Sequence, residues 1–217
     1  MNISLGNVLI VTAHPDDAEI NAGGLISKIS RENNSPSIMI MTHNLSYRFI
    51  ESQQALNILL NSSDETHSHN KIYHKDYQDT QLYLFLTEMI KDIDNLVKNN
   101  NINTIITHHP SDSHQDHNAV CRAVCASSRL INNLIFFKPT APSTMSLGVF
   151  TPNLIVPLDK SHISLKIDSL KYHKSQIDKY GSDIWLERIM EISKADAWTH
   201  GRFHGYAEVY EISRIRI

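Results

Sequence analysis

The sequence predicts an α/β fold, a three-layer sandwich with a mostly parallel central sheet. Two observations predict it. The runs Val8 to Ala13, Ile38 to Thr42 and Ile102 to Thr107 are short and almost wholly apolar or β-branched, as strands buried on both faces require. Each is followed by a longer segment with helical spacing. Repeated strand–helix units of this length imply parallel strands joined by right-handed crossovers.

The elements follow in order. After Val8 to Ala13, Asp16 or Asp17 caps a helix that runs to about Arg31, and Asn33-Asn34-Ser35-Pro36 ends it. Ile38 to Thr42 is the second strand. Tyr47 to Leu60 is a helix, Ser62 to Asn70 a polar loop and Lys71 to His74 a short strand. Gln81 to Lys98 carries Leu82, Phe85, Leu86, Met89, Ile90, Ile93 and Val97 as one helical stripe, stopped by Asn99 to Asn101. Ile102 to Thr107 is a strand and His117 to Asn132 the next helix. Beyond it, Leu134 to Phe137 and Leu154 to Val156 read as strands, Lys160 to Tyr180 and Asp183 to Lys194 as helices, and the alternating Tyr206 to Ile212 as a late strand. No internal repeat or long linker divides the chain, so residues 1–217 read as a single Rossmann-like domain.

Composition narrows the function. Lys and Arg total 20 against 23 Asp and Glu, a net charge of −3. With no basic surplus to neutralise a phosphate backbone, nucleic acid is not the expected partner. Only Cys121 and Cys125 are present, which argues against a secreted disulfide framework. The N-terminal apolar run is short and lacks a positive flank, and no run is long enough to span a membrane. The expected location is the cytoplasm. Thirteen histidines outnumber seven glycines, and histidine is the commonest metal ligand.

Two polar blocks stand directly after buried strands: Ala13-His14-Pro15-Asp16-Asp17-Ala18-Glu19, and His108-His109-Pro110-Ser111-Asp112-Ser113-His114-Gln115-Asp116-His117. In an open parallel sheet, ligands bind at the C-terminal strand edge, at a topological switch point. The two blocks form one site if their strands are neighbours. Imidazole and carboxylate without thiolate suit one Zn²⁺ per chain and tolerate other borderline divalent ions. His14, Asp17 and His117 make a three-ligand set that leaves a position open. Asp16 must point elsewhere, which frees it to act as a base. His114 faces the same cavity. Asp116 fixes the His114 tautomer or serves behind the ligands.

At these blocks the sequence resembles the zinc-dependent N-deacetylases of N-acetylglucosamine-type sugars, the LmbE-like, PIG-L-type family. The resemblance rests on AHPDDAE, Ala13 to Glu19, and on P-x-D-x-H-x-D-H, Pro110 to His117. Gly23-Gly24, Arg48, Glu51, Ser175-Gln176 and Tyr206-Ala207-Glu208 are looser likenesses. Carried over, the resemblance implies zinc on His14, Asp17 and His117, Asp16 as general base, His114 at the oxyanion and departing amine, and Asp116 orienting His114. It implies removal of an N-acetyl group from an amino sugar or sugar conjugate, giving acetate and a free amine. Self-association is common among relatives. Some relatives place a Tyr near the second block to help bind the oxyanion. This chain has Asp112 there, which leaves zinc and His114 for that task.

Arg48, Asn44 and Asp79 are further candidates for contacting the substrate, although Arg48 also reads as a partner of Glu51. Of the adjacent His108 and His109, at most one faces the metal. Trp198 to Gly205 is rich in aromatic and basic residues and reads as a lid, a sugar-stacking wall or a plain connection. Two other functions compete. A catalytically inactive sugar- or nucleotide-binding protein lacks support, because the first turn has no G-x-G-x-x-G. A metallohydrolase of another amide or of a phosphoester draws on Asp16, Asp17, Asp112 and Asp116, but neither block fixes a basic group for phosphate.

Overall fold

The structure is a computed structural model that describes residues 4–32, 35–42, 46–60, 72–140 and 145–216. In chain order the main elements are β1 (Val8–Thr12), α1 (Asp17–Arg31), β2 (Ser37–Thr42), α2 (Ser46–Leu59), β3 (Ile72–Tyr77), α3 (Leu86–Asn99), β4 (Thr104–Thr107), α4 (Gln115–Ser127), β5 (Asn133–Phe137), β6 (Leu154–Leu158), α5 (Lys160–Leu170), α6 (Lys174–Tyr180), α7 (Ser182–Asp196) and β7 (Tyr206–Arg214).

Among the described residues, one sheet holds seven strands in the order β3-β2-β1-β4-β5-β7-β6. The first five are parallel, while β7 runs antiparallel to both β5 and β6. The fold is thus the expected α/β sandwich with a mostly parallel sheet. The wholly apolar runs are explained by two cores. Leu9, Val11, Met39, Met41 and Ile105 face α3 and α4 on one side. Val8, Ile10, Ile38, Ile40, Ile106 and Ile135 face α1 and α2 on the other. Pro157, which has no N–H to give, is tolerated because β6 is an edge strand.

Several boundaries differ from the sequence reading. Asp16 precedes α1 with φ +106, and its side chain makes no capping bond; Asp17 lies inside the helix. The first turn of the expected Gln81 to Lys98 helix is instead a 3₁₀ turn, Leu82–Phe85, that buries Leu82. α4 begins at Gln115, two residues early, because His114 serves as its cap. It ends at Ser127, and Ser128–Leu130 is 3₁₀. The expected Lys160 to Tyr180 helix breaks at Lys171–His173, where tight turns return His173 to the interior. β3 extends to Tyr77, β6 to Leu158 and β7 to Arg214, whereas the paired part of the third run is only Thr104–Thr107. The polar segment Ser62 to Asn70 lies outside the described residues.

A buried carboxylate ties α1 to the late strand. Glu208 accepts the N–H groups of Gly24 and Leu25 at 2.9 and 2.8 Å, the Lys166 ammonium at 2.7 Å and the Tyr210 hydroxyl at 2.8 Å. Gly24 permits this approach. A Cβ there would stand 2.3 Å from Leu158 and 3.1 Å from the Glu208 carboxylate.

The chain goes from β1 outward to β2 and β3, then jumps back to β4 beside β1. That reversal is the switch point. Val11 pairs with Thr107, so both polar blocks leave the same edge side by side.

Candidate active site

The blocks are stitched together where they emerge. The Ala13 N–H donates to His108 Nε2 at 3.0 Å. Thr42 gives both its N–H and its hydroxyl to the Ala13 carbonyl. The turn through Pro15 is held by Arg48, whose guanidinium donates to the Pro15 carbonyl at 2.6 Å and stands 3.5 Å from Asp16. Arg48 therefore braces the first block rather than pairing with Glu51. Glu51 instead accepts the N–H and hydroxyl of Ser175.

Asp17 is the hub. It accepts the His14 N–H at 2.8 Å. Its oxygens also lie 3.4 Å from His14 Nδ1, 3.4 Å from His117 Nε2 and 3.4 Å from His108 Nε2. Other carboxylates sit behind the rings. Asp112 Oδ2 is 3.0 Å from His117 Nδ1. Asp79 and Asp116 are 3.0 and 3.2 Å from His14 Nε2. Each carboxylate accepts a hydrogen bond from the ring nitrogen facing it, so the nitrogens left to face Asp17, and to offer a lone pair once deprotonated, are His117 Nε2 and His14 Nδ1.

Of the two roles the sequence leaves open for Asp116, its carboxylate takes the one behind the hub rings rather than the one on His114. Its carboxylate serves His14 and accepts the N–H groups of Thr80 and Leu82; only its backbone N–H meets His114 Nδ1, at 3.2 Å. The reason is helical geometry. His114 caps α4 and so occupies the N–H two residues on, while the Asp116 side chain turns inward. With Nδ1 an acceptor, His114 carries its proton on Nε2. Its ring packs 4.9 Å from His14 and 4.5 Å from His117.

Among the described residues, three groups bring one ligand atom per residue within 4.8 Å of one another: His14, His114 and His117; Asp17, His108 and His117; and His14, Asp79 and Asp116. His14, Asp17 and His117 are divided between the first two. His108 is poorly suited to ligation, since its Nε2 is already occupied by the Ala13 N–H. Four ligands at about 2.1 Å in a tetrahedron stand about 3.4 Å apart. Asp17 meets His14 through Oδ2 and His117 through Oδ1 at that separation.

The electrostatics favour positive charge at the hub. Burial pulls His117 down, but Asp17 and the hydrogen bond to Asp112 overcome it and hold the ring at about 9. His14 is likewise raised despite burial, by hydrogen bonds to Asp116, Asp17 and Asp79. Asp17 is buried, yet His117 and His108 hold it well below the usual carboxylate range. Burial, then the charge of His117, pushes His108 down to about 4. Burial and the charge of His117 also lower His114. Burial drives Asp16 up to about 6, against the pull of Arg48. A proton and a divalent cation compete for the same lone pairs, so a field that retains the first also attracts the second.

Asp79, expected from the sequence to meet sugar hydroxyls, lies against His14, while Asn44 falls outside the described residues. His109 turns away toward Ser111 and Glu211, while His108 stacks on His117 at 3.8 Å. Asp112 is the residue the sequence reading undervalued. Its signal was its place two residues before the helix cap, where its Oδ1 accepts the His114 N–H at 2.8 Å.

Comparison with known proteins places this geometry. Residues 9–128 match the family described as PIG-L: GlcNAc-PI de-N-acetylase. The uncharacterized deacetylase YaiS of Escherichia coli K12 is 30% identical over a 179-position alignment that covers 77% of this chain and 90% of YaiS. The N,N'-diacetylchitobiose deacetylase of Pyrococcus horikoshii, solved with its inhibitor MPG, has a TM-score of 0.73 at 20% identity, over 96% of this chain and 84% of that one. GalB, the 4-carboxy-2-hydroxymuconate hydratase of Pseudomonas putida KT2440, has a TM-score of 0.77 at 13% identity over 98% of both chains. The scaffold alone therefore serves more than one reaction. The match over residues 9–128 takes in both polar blocks and the hub they build, and by it the chain belongs to the PIG-L family of de-N-acetylases.

Proposed function

We propose that the protein is a zinc-dependent hydrolase that removes the acetyl group from an N-acetylated amino sugar or sugar conjugate, leaving acetate and a free amine. The carrying observation is the pair of imidazoles on either side of Asp17, each with its far nitrogen held by a carboxylate. That arrangement supports His14 Nδ1, Asp17 and His117 Nε2 as ligands. The donor set is nitrogen and oxygen without thiolate, which suits zinc in a catalytic site with one open position. When bound, the ion would polarise a water molecule and the acetyl carbonyl.

The remaining steps belong to the chain. Asp16 lies beside Arg48 and, unlike its neighbour Asp17, holds none of the hub imidazoles. Fixed by the left-handed turn and by Arg48, it accepts a proton from the attacking water. His114, whose ring packs against His14 and His117, donates its Nε2–H as a hydrogen bond to the developing oxyanion and keeps that proton, while Asp16 passes the proton it took from water to the departing nitrogen. Asp116, Asp79 and Asp112 orient the rings and take no part in bond making. The family match and the deacetylase relatives support amide cleavage over the phosphoester alternative.

The test is a panel of N-acetylated sugars and sugar conjugates, assayed for acetate and amine after chelation and after zinc is restored. Activity lost with chelator and recovered with zinc supports the reading. Amine release that persists in metal-free protein overturns the zinc assignment, and a panel with no turnover overturns the substrate class.

A further inference from the structure

α7 ends irregularly. After Asp196, Ala197–Gly201 winds as one π turn, Arg202 adopts φ +56, and the Phe203 N–H returns to the Ala197 carbonyl at 3.2 Å. Such turns and left-handed non-glycine residues cost free energy and recur at ligand sites. Here they stand Trp198 outward, 62% exposed, with its ring 5.1 Å from that of His204. Trp198, Phe203, His204 and Tyr206, with Lys194 and Gly205, wall a cavity of about 440 Å³. That lies within the range of small-molecule sites, about 300–1,000 Å³.

The cavity lies at the same sheet edge as the hub. Asp196, just before the π turn, holds the Lys138 ammonium at 2.5 Å. Lys138 follows β5 and lines a crevice with Asp17, His108 and His117. Tyr210 pairs with Phe137 at the end of β5, so Tyr206 projects about 13 Å further along β7, at roughly 3.3 Å per residue. Tyr206 and the cavity it walls therefore stand beyond the end of β5, on the edge from which both polar blocks leave.

We propose that this cavity binds a second hexopyranose, the unreacted part of an oligosaccharide or glycoside, by stacking its apolar C–H face on Trp198. The inference rests on the carbohydrate reading above and adds that the substrate is larger than one sugar. Exposed aromatic faces flanked by polar tips, here the imidazole of His204 and the ammonium of Lys194, suit a ligand with apolar ring faces and a polar rim.

The chain has two tryptophans, and Trp185 is buried at 2% exposure, so Trp198 emission can be read by difference against Trp198→Phe. The β-1,4-linked disaccharide of N-acetylglucosamine should change Trp198 emission saturably, and the monosaccharide should not at equal concentration. Trp198→Ala should lower the disaccharide-to-monosaccharide ratio of kcat/KM about five- to tenfold. Because Trp198 is exposed, this variant should melt with the wild type. An unchanged ratio together with no disaccharide-dependent emission overturns the proposal. If neither sugar is hydrolysed yet emission still saturates with the disaccharide, the functional reading fails and the cavity assignment stands.

Discussion

His173 and Glu19 form a pair sealed from solvent: Nε2 and Oε1 are 2.9 Å apart, and both side chains are 0% exposed. The pair joins the turn before α6 to the first block, since Glu19 lies two residues after Asp17. Burial pulls His173 down, but Glu19 and then Asp16 and Glu51 raise it above its ordinary value. A raised folded-state pKa means that the pair's contribution is full below about 6.5, the unfolded value, and is lost as pH rises through the folded value. Removing the imidazole leaves a buried, unpaired carboxylate, so His173→Ala should cost about 3–5 kcal/mol where the pair is charged. Denaturant titrations of wild type and variant should differ most near pH 6 and converge in alkali. A pH-independent difference would show that the pair is not ionised.

Asp16→Ala should retain zinc at the wild-type stoichiometry while lowering kcat by about 10²- to 10⁴-fold. Elemental analysis beside initial rates checks both halves. Near-full turnover would refute the base assignment.

His117→Ala should lower metal occupancy outright, whereas Asp112→Asn should weaken affinity by about 10- to 100-fold while leaving the ligand in place. Competition with a chromophoric chelator separates the two. Equal affinity in Asp112→Asn would remove Asp112 from the set that orients His117.

The Glu208–Lys166 pair yields a stability prediction free of the metal. Glu208→Gln leaves the Lys166 ammonium, 3% exposed, without its counter-charge and should cost about 3–5 kcal/mol. In a Lys166→Met background the same change should cost less than half as much, because no charge is stranded. Chemical denaturation of the four proteins measures the coupling.

The sheet was readable where strands are buried on both faces. Val8–Thr12 and Thr104–Thr107 are apolar or β-branched throughout, and the two polar blocks mark their C-terminal ends. Helix breaks were not readable in this way. The apolar spacing of Lys160 to Tyr180 continues through Lys171–His173, and the chain turns there because His173 has a partner 154 residues away in sequence. The partners of Asp112 and Asp116 were hidden for the same reason. Which ring a carboxylate orients depends on how α4 docks against β1 and the segment around Thr80, and no local pattern records that. The left-handed Asp16 reads as an ordinary helix cap in a Pro-Asp-Asp string, because the strain arises only once Arg48 and Asp17 hold both sides.

The reversal between β1 and β4 also sets the order in which the molecule matures. The two halves of the proposed cation grip are a hundred residues or more apart, and they come together only once Val8–Val11 has zipped against Thr104–Thr107. A nascent chain halted before β4 would carry His14, Asp16 and Asp17 yet have no grip to close. On the proposed reading, competence to take up the ion is therefore acquired late, and an unfinished polypeptide yields no premature hydrolase.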